Sequence, residues 1–261
     1  MEFDICVSDR CFFPKSAFMS SKAVVRLAKS LGYEQVEFHP TWAVFWEVLT
    51  RGKLSCQAGD ISSFHIGWRE DGVGAGFGFL KRMLMPTYFI FPFESLGTLA
   101  LQRLEKVYKK QTVCHWPWDF EKFKNPILEL HSFLHFGLRE IKDLVKDGKI
   151  KGLVVDTDKF DGWLKRHKHG ENWALKKLLP DICEVHFRFG YKENIGASLN
   201  IGKTNSARIL KKLLNLGFEG RAVVEMGWPD KGSVAVLKKY GLAKVHEEIV
   251  GFFEKFELTP L

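Results

Sequence analysis

Seven short apolar runs in this chain each end in an ionisable side chain. The runs are QVEFH, ISSFH, TVCH, ILE, GLVVD, CEVH and AVVE, and they end at His39, His65, His115, Glu129, Asp156, His186 and Glu225. A buried strand is normally apolar to its end, because an unpaired charge in a protein core is costly. A charge repeated at the same end of successive strands therefore predicts one shared polar site at the mouth of a barrel.

The segments between these runs have the spacing of amphipathic helices. The first one begins at the helix-capping residues Ser20 and Ser21, has apolar residues at intervals of three and four, and ends at Gly32. We predict eight strands, over 3–8, 35–39, 61–66, 112–116, 126–130, 152–156, 183–187 and 222–226. Strands that alternate with helices over residues 1–261 indicate one α/β domain, a single (β/α)8 TIM barrel. An open doubly wound sheet is the alternative, but the GVGAGFG stretch at 72–78 lacks the dinucleotide-binding spacing.

Three connections have unusual sequences. Residues 67–93 are long for a link between strand three and its helix, which we expect to begin near Glu94. They indicate a lid over the site or an apolar surface for self-association. The short link between strands four and five predicts that the fourth helix is degraded or replaced by a turn at 120–124. The basic run LKRHKHG at 164–170 is expected in the loop after strand six.

The net charge and the cysteine content bear on where the protein is located and on what it binds. The net charge of +8 admits phosphorylated metabolites or nucleic acid as partners, and it also fits a solvated lysine-rich surface. Five cysteines without CxxC spacing are typical of reduced thiols in a reducing compartment. No run approaches the roughly 18 apolar residues of a membrane helix. We therefore expect a cytoplasmic protein without a membrane partner, and the sequence leaves a homo-oligomer open.

Four of the strand-end residues suit a divalent ion. Glu129, Asp156, His186 and Glu225 end strands five to eight, which are neighbours in a barrel. Three carboxylates and one imidazole suit Mn²⁺, Mg²⁺, Co²⁺ or Zn²⁺. The alternative is that each charge pairs with a lysine or an arginine in a structural salt bridge.

The chain resembles the xylose isomerase-like TIM barrel superfamily. The segments that carry the resemblance are ILELHSF, VVDTDKF, EVHFRFG and GFEGRAVVEMGW, in this order along the chain. The superfamily holds sugar isomerases and epimerases, inosose dehydratases, and apurinic endonucleases of the endonuclease IV type. In its isomerase and epimerase branch, the resemblance implies one metal ion bound by Glu129, Asp156, His186 and Glu225. It also implies that Glu129 and Glu225 move protons on opposite faces of the reacting carbon, through a metal-bound enediolate.

The endonuclease branch implies a second metal, held by His65 and His115 and bridged by Glu129. A third metal in that branch needs a histidine three residues after the strand-six aspartate, where this chain has Lys159. The first hypothesis is thus a divalent-metal-dependent isomerase or epimerase of a sugar, sugar phosphate or polyol. The second is an endonuclease IV-like phosphodiester hydrolase acting on abasic DNA. The third is a barrel without catalysis, in which the ammonium of Lys159 replaces the charge of the ion.

Residues near the strand ends are candidates for substrate binding. Arg188, with Lys192, is suited to a phosphate or a carboxylate, and Lys159 stands at a position that contacts substrate in the epimerases. Aromatic walls suit the apolar face of a sugar ring and equally a displaced nucleotide. The predicted wall residues are Trp68, Trp116 and Trp228, with Trp163 in the same region. His39 is interpreted as a mouth or core histidine rather than a ligand.

Overall fold

Eight parallel strands close into a barrel. The computed structural model describes residues 4–12, 15–66, 90–115, 120–131, 134–188, 201, 204–226 and 231–257. The strands pair in sequence order and β1 closes on β8, which confirms the predicted (β/α)8 barrel. They are β1 (Ile5–Ser8), β2 (Val36–Phe38), β3 (Ile61–His65), β4 (Thr112–Cys114), β5 (Pro126–Leu130), β6 (Leu153–Asp156), β7 (Ile182–Phe187) and β8 (Arg221–Val224).

Helices follow the strands around the outside of the barrel. Over the described residues they are α1 (Ser21–Ser30), α2 (Trp42–Arg51), α3 (Ile90–Tyr108), α4 (Leu138–Lys146), α5 (Phe160–His167), α6 (Glu171–Leu178), α7 (Asn205–Asn215), α8 (Lys231–Tyr240) and α9 (Leu242–Glu257). The first helix begins as predicted, because the Ser20 side chain accepts a hydrogen bond from Ala23 N. It ends before Gly32, whose φ of +95° suits glycine. None of the described helices is long and apolar enough to cross a membrane.

Two helix boundaries differ from the sequence prediction. Helix α5 covers the first part of the 164–170 run that we expected in a loop, because Phe160, Trp163 and Leu164 form a buried face. Its basic residues lie in the last turn, where positive charge is favourable. Helix α3 begins at Ile90, so the end of the predicted 67–93 loop is helical. Residues 67–89, with the predicted lid, lie outside the described residues.

Inward-facing residues alternate along β4, β5 and β6 and form two layers on this side of the barrel interior. Below the strand ends, Val113, Ile127 and Val154 form a separate buried apolar cluster. Two positions further along the same strands are His115, Glu129 and Asp156. The alternation therefore places polar groups directly above an apolar floor.

A buried carboxylate holds the connection between β4 and β5. Residues 121–122 form the predicted turn, and 116–119 lie outside the described residues. Glu105 on α3 is 3% exposed and accepts the backbone N–H groups of Lys124 (2.8 Å) and Asn125 (2.7 Å). Glu105 thus satisfies backbone donors in the connection between β4 and β5.

We predict that Glu105→Ala lowers the free energy of unfolding by about 2–4 kcal/mol, because two backbone donors lose their acceptor. Urea denaturation followed by circular dichroism would measure the change. Glu121→Ala is the matched control, since Glu121 is exposed on the same connection. Equal stability of the two variants would contradict the role given to Glu105.

Candidate active site

The strand ends bring all seven predicted ionisable side chains to one mouth of the barrel. The strands are parallel and in register, so their carboxyl ends meet on the same side. All seven side chains are buried, and none is more than 5% exposed. Charges so far from water need partners inside the protein.

A continuous chain of ion pairs crosses the mouth between β5 and β8. Lys159 Nζ lies 2.8 Å from Glu129 Oε1 and 2.8 Å from Asp156 Oδ2. Arg188 Nε lies 3.4 Å from Asp156 Oδ2, and Arg188 Nη2 lies 2.5 Å from Glu225 Oε1. Protein cations therefore join the three carboxylates that were predicted as metal ligands.

His186 lies among three carboxylates and is itself a cation. Its Nε2 lies 2.8 Å from Glu184 Oε1 and 3.3 Å from Glu37 Oε2. Its Nδ1 lies 3.0 Å from Glu225 Oε2. Burial lowers the pKa of His186, but Glu37 and Glu225 outweigh burial and raise it well above the usual value. An imidazolium with both nitrogens facing carboxylates has no lone pair to offer a metal.

Two arginines that the sequence analysis missed complete the charge pairing. Arg10 Nη1 lies 2.9 Å from Glu225 Oε1. Arg221 Nε donates a hydrogen bond to the Glu184 carboxylate. Arg10 comes two residues after the end of β1, and Arg221 begins β8. This position beside a strand is the only feature of the sequence that could have indicated a role for either arginine in the site.

The charges of this ion-pair network balance without a divalent ion. The carboxylates are Glu37, Glu129, Asp156, Glu184 and Glu225, and the cations are Arg10, Lys159, His186, Arg188 and Arg221. A divalent ion would add two positive charges unless a protein cation moved away. The predicted quartet of Glu129, Asp156, His186 and Glu225 therefore does not fit a metal in this arrangement. It matches the alternative in which each acidic group pairs with a basic residue.

Three other groups of side chains bring their ligand atoms within 4.8 Å of one another. Among the described residues these groups are Glu37–His65–His186, His39–His65–Glu225 and His65–His115–Glu129. Each contains His65, which was predicted as a ligand. None contains Asp156. His39, which we interpreted as a mouth or core histidine, belongs to one of them.

Two of the histidines in these groups are neutral. Burial lowers the pKa of His39 well below its usual value, and the nearby His65 and Arg10 lower it further. Burial also lowers the pKa of His115 to about 3, although Glu129 opposes this effect. A neutral imidazole has one lone pair, which is what a metal ligand needs.

The predicted substrate-binding residues have different outcomes. Lys159 and Arg188 lie at the mouth as expected, and both contact carboxylates. Trp163 lies in the core, where its indole N–H donates to Phe136 O. The predictions for Trp68, Trp116, Trp228 and Lys192 fall outside the described residues.

Solved structures share this architecture over nearly the whole chain. D-Psicose 3-epimerase from Clostridium cellulolyticum H10, solved with D-tagatose, aligns with a TM-score of 0.51 at 14% identity, covering 95% of this chain and 99% of that chain. The structure of an L-ribulose 3-epimerase aligns with a TM-score of 0.51 at 11% identity, covering 98% of each chain. The chain has the fold of a TIM barrel, as these sugar epimerases have. At this level of identity, the likeness establishes the fold alone.

Sequence comparison adds one short relative. A stretch of this chain is similar to the phage-like element PBSX protein XtrA of Bacillus subtilis strain 168. The two are 31% identical over 64 residues, which is 24% of this chain and 93% of XtrA. No model of a known protein family matches the sequence.

The Glu184–Arg221 pair of this barrel predicts a pH dependence of stability. Burial raises the pKa of Glu184, but Arg221 and His186 outweigh burial and lower the pKa from 4.5 to about 2. A depressed carboxyl pKa stabilises the fold above the unfolded pKa, and the gain is lost as the pH falls from about 4.5 towards 2. The loss over that window is on the order of 3 kcal/mol.

Arg221→Met should remove most of this acid-dependent loss and lower stability at neutral pH, since Glu184 loses its main counter-charge. Urea titrations between about pH 6 and 3 would measure both effects. Arg139→Met is the control, because Arg139 is exposed. A parallel pH dependence in Arg221→Met and the wild-type protein would show that the pair does not depress the pKa of Glu184.

Proposed function

We propose that this chain is a sugar isomerase or epimerase that moves a proton at a carbon next to a carbonyl. Glu129 and Glu225 would be the acid–base pair. One observation carries the proposal: two buried carboxylates at the ends of β5 and β8 are each joined through a cation to the same Asp156. Reversible proton transfer next to a carbonyl needs a base, an acid and positive groups for the developing enediolate oxygens.

The cations between the carboxylates supply those positive groups. Lys159 and Arg188 reach the mouth with side chains that are 19% and 12% exposed, so substrate oxygens could contact them from the open side. The pKa of Glu129 and that of Glu225 lie well below the usual value, because Lys159 and Arg188 outweigh the effect of burial. When substrate oxygens draw these cations away, each carboxylate becomes a stronger base. Binding would therefore activate the bases.

Substrate class, assembly and location belong to the same proposal. The named substrates of the two epimerases with this fold support a keto sugar. Arg188 would bind a phosphate group, so a sugar phosphate is included among the proposed substrates.

We propose residues 1–261 as one barrel domain in the cytoplasm, where its five free thiols would stay reduced. Exposed Trp46, Leu49 and Leu99 support self-association into a homo-oligomer.

Proton exchange with solvent tests the proposed reaction. We expect the wild-type protein, assayed with added Zn²⁺, Mn²⁺ or Co²⁺, to incorporate deuterium into at least one ketose or ketose phosphate at a carbon next to the carbonyl. Glu129→Gln and Glu225→Gln should each slow the exchange by at least about 100-fold, because an amide cannot accept the proton. Proton NMR in D₂O would follow the lost signal.

Glu219→Gln is the matched control, since Glu219 is exposed and precedes β8, at the opposite end of that strand from Glu225. It should exchange at the wild-type rate. Unchanged exchange in both glutamine variants would refute the assignment of the bases. If no sugar in a broad panel exchanges with the wild-type protein, the proposal of an isomerase or epimerase fails, and the hypothesis of a barrel without catalysis gains support.

A metal-dependent phosphodiester hydrolase is the second candidate function. The observation that favours it is the His65–His115–Glu129 group, whose ligand atoms lie within 4.8 Å of one another. These are the residues that the endonuclease resemblance implies for a second metal. Against this candidate, Lys159 stands where the third metal of that branch needs a histidine.

An incision assay separates the two functions. We expect no metal-dependent cutting of duplex DNA that contains an abasic site, because the network of cations leaves the carboxylates paired. The assay would use the purified protein with Zn²⁺ or Mn²⁺ at two salt concentrations. The control is His169→Asn, because His169 is half-buried between α5 and α6, outside the three groups. Robust incision that His115→Asn abolishes and His169→Asn leaves intact would reverse the ranking.

A further inference from the structure

We propose that Lys159 and Arg188 take the place of a divalent ion at the mouth, so that the proposed isomerase or epimerase, on whose function this inference rests, transfers protons without a metal. The two side chains together carry two positive charges, as many as one divalent ion. Both lie among the carboxylates of Glu129, Asp156 and Glu225, which the sequence analysis predicted as ligands of that ion.

Every oxygen of Glu129 and Asp156 faces a protein donor. Lys159 Nζ donates to Glu129 Oε1 at 2.8 Å, and His115 Nε2 lies 2.7 Å from Glu129 Oε2. Asp156 Oδ1 accepts the backbone N–H of Asp158 at 3.0 Å, and Asp156 Oδ2 lies 2.8 Å from Lys159 Nζ. The ammonium thus lies between the two carboxylates that an ion would have to join.

Both oxygens of Glu225 face cations as well. Its Oε1 lies 2.9 Å from Arg10 Nη1 and 2.5 Å from Arg188 Nη2. Its Oε2 accepts a hydrogen bond from Arg188 Nε at 3.0 Å and lies 3.0 Å from His186 Nδ1. An ion could bind these carboxylates only by displacing a protein cation.

A tight turn at the end of β6 holds Lys159 over the strand end. Its backbone N–H donates to the carbonyl oxygen of Asp156 at 3.1 Å and lies 3.3 Å from Asp156 Oδ1. An aspartate that accepts the backbone N–H groups of the residues after it fixes such a turn. The next residue, Phe160, is buried and begins α5. The fold therefore sets the position of the ammonium, which distinguishes Lys159 from a lysine on the solvated surface.

The two cations can perform the electrostatic task of an ion. Asp156 Oδ2 lies 2.8 Å from Lys159 Nζ and 3.4 Å from Arg188 Nε, so one carboxylate keeps them side by side. An ammonium and a guanidinium carry several N–H donors each, and both can donate to a carbonyl oxygen and a neighbouring hydroxyl oxygen. Fixed positive donors at those oxygens stabilise an enediolate as it forms.

Removing these cations should create a site for a metal. The ion-pair network contains five carboxylates and five cations. Lys159→Met leaves one negative charge in excess, and the double variant Lys159→Met/Arg188→Met leaves two, which one divalent ion balances. Buried charge without a counter-charge is costly, so an ion should enter the variants although the wild-type protein excludes it. Carboxylate oxygens suit Mn²⁺ and Co²⁺.

The test is a titration of the full chain, freed of metal by chelator, with Co²⁺ alone, followed by visible absorption and calorimetry. We expect no ion at the mouth of the wild-type protein at millimolar concentration. Lys159→Met should bind one Co²⁺ per chain with an affinity at least about 10-fold higher, and the double variant should bind it more tightly still. Adding Glu129→Gln to Lys159→Met should remove the gained binding.

Two variants serve as controls for this titration. Lys159→Arg keeps the positive charge and should exclude Co²⁺ as the wild-type protein does. Lys165→Met removes an exposed lysine of the same helix, α5, and should also behave as the wild-type protein.

Proton exchange in EDTA tests the consequence for the reaction. Wild-type protein should incorporate deuterium into its ketose at the same rate with EDTA as with added metal. Without metal, Lys159→Met should exchange at least about 100-fold more slowly, and Co²⁺ should restore part of the rate. Wild-type exchange that EDTA abolishes and metal restores would overturn the proposal. If no ketose exchanges under any condition, the isomerase or epimerase function fails, and the Co²⁺ titration still decides which cation lies at the mouth.

Two results of the titration would also overturn the proposal. One is equally tight binding of Co²⁺ to wild-type protein and Lys159→Met that Glu129→Gln abolishes in both. The other is no gain of binding in folded Lys159→Met. If Lys159→Met fails to fold, proton NMR of the wild-type histidines decides, because paramagnetic Co²⁺ at Glu129 must shift the ring signals of His65 and His115. Their Nε2 atoms lie 3.3 Å and 2.7 Å from Glu129 Oε2. Shifted signals refute the proposal, and unchanged signals support it.

Discussion

The requirement to pair buried charges governs the mouth of this barrel. Glu129, Asp156 and Glu225 are buried at the strand ends, away from water. Lys159 and Arg188 lie at hydrogen-bonding distance and neutralise their charges. Removing one partner of such a pair costs several kcal/mol, whereas the intact pair contributes much less. The charged groups at the mouth thus depend on one another, which favours one fixed arrangement of the side chains until a ligand changes the pairing of charges.

The sequence predicted the barrel and the composition of its mouth, because both depend on local patterns. A period of two along the strands places Val113 and His115, or Ile127 and Glu129, on the same inward face. A period of 3.6 gives the helices, and the caps at Ser20 and Thr41 give their first residues. Helix α5 was missed because its basic last turn has the composition of a loop, although Trp163 and Leu164 pack into the core.

The pairing of the charges could not be predicted from the same patterns. Spacing along the chain puts Glu129, Asp156, His186 and Glu225 on adjacent strands, which serves an ion-pair network as well as a metal. The difference lies in which cation reaches which oxygen, and that depends on loops such as the one that carries Arg10. The orientation of His39 depends on Asp9, 30 residues away in sequence. Lys159 was the one visible signal, a cation at a position where the resemblance implies a histidine.

The apolar floor under the mouth limits where a proton can go. Val113, Ile127 and Val154 offer neither a donor nor an acceptor beneath His115, Glu129 and Asp156. Relay of a proton requires a chain of polar groups or water, and these three side chains supply no polar group. A proton accepted by Glu129 can therefore pass only sideways to its polar neighbours or upward to the bound molecule. Exchange with bulk water must then pass through these neighbours or the open side of the mouth, so the ratio of exchanged to retained label would report how tightly the mouth is closed.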